Sequence, residues 1–399
     1  MTITAPDPTT TSPSTSTVRP ALPSTLQHVL NIALGTSHSP IDAEVDWDEF
    51  ISLTHLHGLL PLVHRNLSAS QAPPHVRMQI AQLVLAGTAK NLKLADCLVR
   101  TIDILHQHQI RMLTVKGPHL ALTLHGDLKS RMFSDIDLFV DRADIPTAHV
   151  ALTACGYRLM NQPVLPSQAE FTRFLNCTQD KDYVYQCPDG STLELHWALQ
   201  RPGLGTILGF EAAWKDRRTV SYRENDIPGL GNVHQVVYLA AHGTAHRWRR
   251  LEWLYSLSQM ASRLTSSEWE SVQELAKKRR MTSILNLTLS LATELGFDAG
   301  EYALAQTERP RLVGEIVEVL SRLDVKEEYH QDTAFYIAAK RDAGDRISAW
   351  WRRLTMPSHR DLAALPVSLR RWPFYCMIRP ARLALVGISP CRPSSPSRE

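Results

Sequence analysis

The chain reads as an α+β protein: a small mixed β-sheet with flanking helices over residues 110–225, preceded by a helical segment and followed by a helical domain. Three observations predict this. The stretch 112–140, MLTVKGPHLALTLHGDLKSRMFSDIDLFV, passes from a short apolar run to helical spacing and then to strict alternation. Residues 182–186 and 191–197 resemble two strands joined around Pro188-Asp189-Gly190, a turn signal. On either side, over 24–109 and 226–385, apolar residues recur mostly at helical spacing. With 399 residues, 44% of them hydrophobic, the chain can bury a substantial core and suits two or three domains.

Residues 1–23 are almost entirely Thr, Ser and Pro, which cannot bury enough surface to order a backbone, so they are expected to form a disordered tail. Helical pattern starts at Leu26, and Trp47, Phe50, Leu53 and Leu56 share one face of an amphipathic helix. His55, His57 and His64 lack evident acidic or thiol partners, which favours solvated or helix-face histidines over zinc ligands. Val76 to His108 reads as one long scaffold helix, with Ile80, Leu83, Val84, Ala95, Leu98, Ile102 and Leu105 on its apolar stripe.

Met112 to Val115 is an expected strand that ends in a turn at Gly117-Pro118. Leu120, Ala121 and Leu124 then carry a helix to its stop at Gly126. In Ser134 to Val140 the alternation turns Asp135 and Asp137 to one face and Ile136, Leu138 and Val140 to a core. Adjacent carboxylates repel, so a cation is expected between them, Mg²⁺ (or Mn²⁺) being suited to oxygen ligands shared with phosphates. A helix over Asp144 to Cys155, stopped by Gly156, leads to a short strand at 157–160 and a poorly patterned stretch at 161–178. In the second hairpin strand Thr192, Glu194 and His196 share a face, which makes Glu194 the candidate third carboxylate.

From Asn232 the pattern is mostly helical. His242 and His246 would share a helix face, but position 243 is Gly where a zinc-protease motif needs Glu, which argues against a zinc site. Trp269, Leu275 and Ile284 to Leu295 read as further packed helices, stopped by Gly296. The basic and aromatic segments Trp350-Trp351-Arg352-Arg353 and Arg370-Arg371-Trp372, with Pro373-Phe374-Tyr375, Arg379-Pro380 and Arg382, suit peripheral contact with an anionic membrane. The commoner arrangement, and the one expected here, is a solvated helix with buried aromatics. Residues 386–399 are expected to be a disordered tail.

A net charge of +3 gives no strong nucleic-acid footprint, and no apolar run is long enough to span a membrane. Without a signal-peptide pattern, and with six cysteines but no C-x-x-C pair, the chain is expected to be cytoplasmic with reduced thiols.

The central stretch resembles the DNA polymerase β-like nucleotidyltransferases, whose site is a Gly-containing turn, a helix and then Asp-x-Asp on the next strand. It is more similar still to a bacterial branch described only as uncharacterised nucleotidyltransferases. That pattern of Lys-Gly, Tyr-Gly-Asp and Arg-x-x-x-Asp-Ile-Asp-Leu-x-Val stands here as Lys116-Gly117, His125-Gly126-Asp127 and Arg131 to Val140. Glu-Leu-His-Trp matches at Glu194 to Trp197, and His-Gly-x-x-His at His242 to His246, with Ser256 where the family usually has Asp. The resemblance covers about residues 45–385. It implies metal-dependent transfer of a nucleoside monophosphate from a nucleoside triphosphate to a peptide, glycan or small molecule, in natural-product or polysaccharide tailoring. Asp135, Asp137 and Glu194 would hold the metal, and Lys116, Gly117, Arg131 and Ser134 the nucleotide. His196, His242, His246 and Arg250 would face the substrate. The same carboxylates would serve sugar transfer from a nucleotide sugar, and Lys-Gly in place of Gly-Ser leaves a non-catalytic nucleotide-binding partner as a third reading.

Deleting Met1 to Pro20 should leave the melting temperature and nucleotide binding unchanged, because the segment lacks core-forming residues. A drop of several degrees in a thermal melt would show that the tail packs on the body.

Overall fold

The structure is a computed structural model that describes residues 22–37, 41, 45–160, 168–205, 208–302, 309–322, 331–364 and 372–388. Most of both expected tails, and Leu365, Pro366, Arg370 and Arg371, lie outside the described residues. Leu22 packs on the core, and the last helix runs to Ile388.

The chain opens with α1 (Ser24–Leu34), α2 (Trp47–Leu56), α3 (Leu60–Asn66) and the 34-residue α4 (Pro74–Gln107). The mixed region follows as β1 (Met112–Thr114), α5 (Gly117–His125), β2 (Ile136–Val140), α6 (Ile145–Ala154), β3 (Arg158–Leu159), α7 (Gln168–Cys177), β4 (Asp182–Gln186), β5 (Thr192–His196), α8 (Phe210–Lys215), β6 (Arg218–Tyr222) and β7 (Asn225–Gly229). Helices complete it: α9 (Asn232–Ala245), α10 (Leu251–Ala261), α11 (Ser266–Lys278), α12 (Thr282–Glu294), α13 (Pro310–Leu320), α14 (Thr333–Ala339), α15 (Ala343–Thr355), α16 (His359–Ala364) and α17 (Trp372–Ile388).

The strands form one sheet in the order β3-β4-β5-β2-β1-β7-β6. β2 and β5 are parallel, as are β1 and β7, and the remaining pairs are antiparallel. The sheet therefore runs past the boundary expected at residue 225, through a strand whose Asn225, Asp226, Pro228 and Gly229 are poor strand formers and gave no local signal. Helix α7 occupies part of the stretch that showed no pattern. The expectation of buried aromatics near the C-terminus is overturned: Tyr375 is buried, whereas Trp350, Trp351 and Phe374 face outward.

Alternation along the central strands divides the interior in two. Ile136, Leu138 and Val140 of β2 and Leu193 and Leu195 of β5 enter a core with α6 and the later part of α4. Leu113 and Phe139 point the other way, into a core shared with α1–α3 and α9–α14. The N-terminal segment, one sheet face and the C-terminal helices are thus packed together, and the acidic face of β2 is covered by helices: all five of its residues are buried.

Mid-way along α4, Asn91 is fully buried. Its Nδ2 donates to the carbonyls of Leu128 and Arg131, both at 2.7 Å, and its Oδ1 accepts from Phe133 N at 3.3 Å. One amide side chain thereby fixes the loop that delivers Arg131 to Asp135 to the sheet. Asn91→Leu keeps the volume but orphans these buried groups, at about 1–3 kcal/mol for each left unsatisfied. A urea melt within experimental error of the parent would contradict this role.

Candidate active site

Lys116 follows β1 and precedes the first turn of α5. Gly117 adopts φ +53°, a left-handed conformation that glycine takes without steric cost. Val115 N donates to the carbonyl of Asp137 at 3.1 Å, which fixes the spacing of the two segments. The Lys116 ammonium consequently lies 3.2 Å from Asp137 Oδ2.

Strand register supplies the other side. Asp137 sits directly opposite Glu194 across the parallel β2–β5 pair, and Asp182 of β4 sits opposite His196. His196 Nε2 is 3.1 Å from Asp137 Oδ1 and 3.4 Å from Glu194 Oε2, while Nδ1 is 3.4 Å from Asp182 Oδ2. Lys181, paired with Asp182, lies 3.8 Å from Glu194 Oε2. Six charged or chargeable groups from four segments thus meet on one face.

The two aspartates of the Asp-x-Asp motif are not equivalent. Burial pushes both carboxyls up. At Asp137 this is outweighed by Lys116 and His196, which hold it well below the ordinary carboxylate range. At Asp135 burial and the neighbouring Asp137 charge win over Lys116 and bring it to about 6. The imidazole of His196 is pushed down by burial and Lys181, but hydrogen bonds to Asp137 and Glu194 and the charge of Asp182 leave it above its ordinary value.

These groups line a cavity of about 540 Å³ roofed by α9 and α10, within the size range of small-ligand pockets. Every residue given a metal, nucleotide or substrate role from the sequence borders it: the Lys116-Gly117 turn, Arg131, Ser134, Asp135, Asp137, Glu194, His196, His242, His246 and Arg250. Several contacts differ from expectation. Arg131 is 4% exposed and bound to Glu252 of α10, Nε to Oε1 at 2.6 Å and Nη2 to Oε2 at 3.3 Å, so only its Nη1 lacks a protein partner. Ser256, standing at the family's usual Asp, donates to Glu252 Oε1 at 2.6 Å. His196 reaches Asp137 directly, because β5 pairs beside β2.

His242 and His246 lie with ring centroids 4.6 Å apart. Burial followed by the Lys116 charge lowers both, His246 to about 3, which keeps them neutral at pH 7. The ring of Trp248 explains the glycine between them: a Cβ on Gly243 would come within 2.5 Å of it. Lys181, Asp182, Tyr238, Glu252, Arg201 and His359 also border the cavity, and nothing in their local sequence announced it.

Ligand atoms of Asp137, Glu194 and His196 lie within 4.8 Å of one another, a donor set that fits a divalent cation; Asp135 stands outside this trio. A second group, Cys97, Cys187 and Asp189, also meets in space, with both thiols buried and free and Asp189 paired to Arg100 at 2.6 Å. His55, His57 and His64 join no such group among the described residues, and His57 is buried, not on a solvated face.

Asp135→Asn and Asp137→Asn should change stability in opposite directions. Because Asp135 titrates near 6 in the fold against an ordinary 3.8, its ionisation costs stability that is fully lost above pH 6 and recovered below about pH 4. Asp135→Asn should therefore raise the melting temperature at pH 8, with the gain gone at pH 4. Asp137→Asn leaves Lys116 without its buried counter-ion and should cost about 3–5 kcal/mol at neutral pH. Equal effects of the two in parallel melts would refute the asymmetry.

The family model described as uncharacterised nucleotidyltransferase matches residues 43–296. Among solved structures, an antigenic nucleotidyltransferase-like protein from Paracoccidioides brasiliensis is similar over 56% of this chain and 96% of its own. Its identity is 13% and its TM-score 0.27, too loose to bear on the site. No curated protein matches the chain. No helix among the described residues is long and apolar enough to cross a membrane. With the match spanning well over half of the sequence, the chain belongs to the uncharacterised nucleotidyltransferase family.

Proposed function

We propose that the chain transfers a nucleoside monophosphate from a nucleoside triphosphate to an acceptor bearing a nucleophilic group. The observation that carries this reading is the convergence of Asp137, Glu194 and His196 with Lys116 in one cavity. In the reaction an acceptor oxygen or nitrogen attacks the α-phosphorus, pyrophosphate leaves, and the acceptor's proton passes to solvent or a carboxylate. Asp137, Glu194 and His196 would hold a divalent cation such as Mg²⁺ or Mn²⁺. Bound there, it would neutralise phosphate charge and lower the acceptor's pKa.

The chain's own groups have distinct parts. Lys116 is positioned to trade its contact with Asp137 for a phosphate oxygen once a cation balances the carboxylate, and the adjoining start of α5 presents backbone N–H groups to the same anion. Asp135, ionised at neutral pH yet more basic than an ordinary carboxylate, suits proton acceptance from the attacking group. The Arg131–Glu252 pair ties the loop before β2 to α10 and leaves one guanidinium nitrogen for an anionic substrate group. His242 and His246, neutral and lining the cavity, offer hydrogen bonds without adding charge.

Incubating the protein with each nucleoside triphosphate, Mg²⁺ or Mn²⁺ and candidate peptide or glycan acceptors should release pyrophosphate. Release of nucleoside diphosphate from nucleotide sugars would instead support glycosyl transfer. Glu194→Gln should lower turnover by a factor on the order of 10² or more while nucleotide affinity changes less than about tenfold, the mark of an interaction made in the transition state. His196→Gln should weaken metal dependence as well, since its ring shares the donor set. Near-parental turnover of Glu194→Gln, or its failure to fold, would make that carboxylate structural.

A further inference from the structure

The roof of the cavity carries polar groups that the cation and the triphosphate leave unused. Asp137, Glu194, His196 and Lys116 lie on the sheet side, where the start of α5 adds its N–H groups. The roof comes from α9 and the start of α10 and presents His242, His246, Arg250, Glu252 and Trp253, with Arg131 joined to it through Glu252. Four polar atoms here are shielded from water and have no hydrogen-bond partner among the described residues: Arg131 Nη1, Arg250 Nε, His242 Nε2 and His246 Nδ1. Buried polar groups are almost always paired, so four unpaired atoms along one side of a cavity mark the place of a ligand.

The two guanidinium groups decide its chemistry. Guanidinium nitrogens donate and cannot accept, so the missing partners of Arg131 and Arg250 are acceptors. Charge points the same way. Lys116, Arg131 and Lys181 each face a carboxylate, on Asp137, Glu252 and Asp182, whereas Arg250 forms no ion pair among the described residues. The roof therefore holds one positive charge more than its own acid balances. The N-terminus of α10, which no side chain caps, adds its partial positive charge.

These donors are set before any ligand arrives. Glu252 grips Arg131 through two hydrogen bonds, and Glu252 N donates to the carbonyl of His57 at 3.1 Å. A Cβ on Gly58 would lie 2.6 Å from Arg250 Nη2, so the glycine, at φ +70°, lets the guanidinium settle against the turn between α2 and α3. Beside the donors the roof is aromatic: the rings of His242 and His246 lie 4.9 and 5.5 Å from that of Trp253, and Tyr238 borders the same side. Such surface does nothing for a polyphosphate but suits a carbon skeleton.

We infer that the roof is the acceptor subsite and that the acceptor is an organic anion, its carboxylate or phosphate held by Arg131 Nη1 and Arg250 together with His242 and His246, its carbon skeleton against Trp253. That the anion belongs to the acceptor rests on the proposed transfer reaction, whereas the existence of the subsite does not.

The test is calorimetric titration of the full chain, loaded with Mg²⁺ and a saturating α,β-methylene nucleoside triphosphate, with inorganic phosphate and separately with benzoate. At least one anion should bind with the analogue in place, and the tighter of the two tells whether the subsite takes phosphate or carboxylate. Arg250→Gln should weaken that binding about tenfold or more, while affinity for the analogue changes less than about twofold and the circular dichroism spectrum is unchanged. In the parent chain the bound anion should also protect Arg250 from phenylglyoxal, read by peptide mass mapping, a measurement that needs no variant. Binding of neither anion, undiminished binding by Arg250→Gln, or unslowed labelling of Arg250 would overturn the inference. So would displacement of the anion by the analogue, which would assign both arginines to the triphosphate. Failure of the analogue to bind would instead remove the transfer reading, and titrations of the parent and Arg250→Gln with Mg²⁺ alone would still decide whether the subsite exists.

Discussion

The central constraint is a carboxylate that has almost no contact with water. Asp137 is 1% exposed, and a buried anion persists only where paired charge and hydrogen bonds replace its hydration. Lys116 supplies one side of that replacement and His196 the other. Each brings a segment with it: Lys116 fixes how β1 enters α5, and His196 fixes the place of β5 beside β2. The result is a strongly ionised acid at the floor of a cavity, held in a geometry that a divalent cation can take over from the protein's own positive charges.

That exchange has a price in proton and charge balance. A cation held among Asp137, Glu194 and His196 would require a neutral imidazole, whereas the surrounding acids favour the imidazolium, so its uptake would be coupled to proton release. Lys116 would be freed by such a cation, and it lies beside the start of α5, where a phosphate would be met by backbone N–H groups. Lys-Gly in place of Gly-Ser in this turn therefore has a physical sense under the proposed reaction: the side chain that balances Asp137 would be placed to meet a phosphate once a cation took over that balance.

The helices before and after the sheet share the work of holding this site. Asn91 clamps the loop before β2 from one side, and Glu252 holds Arg131 from the other. Since α1–α3 and α9–α14 meet in one core over the acidic face, the cavity is a gap in that packing and not a cleft between separate bodies. At the far end, α15 and α17 turn apolar side chains outward, and the segment between them reaches the cavity side through Pro357 and His359.

What the sequence determined by itself is whatever short-range chemistry dictates. Gly117-Pro118 and Gly126 bound α5, Pro188-Asp189-Gly190 turns the β4–β5 hairpin, the apolar stripe from Ile80 to Leu105 makes α4, and alternation turns Asp137 and Glu194 away from their apolar neighbours. These follow from backbone preference and side-chain period, which need no knowledge of distant residues. Strand β7 escaped because its Asn, Asp, Pro and Gly are poor strand formers, and it is held by pairing with β6 along its length and with β1 at Gly229. The opposite electrostatics of Asp135 and Asp137, the approach of His196 to Asp137, the capture of Arg131 by Glu252 and the outward tryptophans of α15 were decided by tertiary structure alone. Each depends on which side chain from another segment comes within a few ångströms, and on how much water that approach excludes, and neither quantity is written in local residue order.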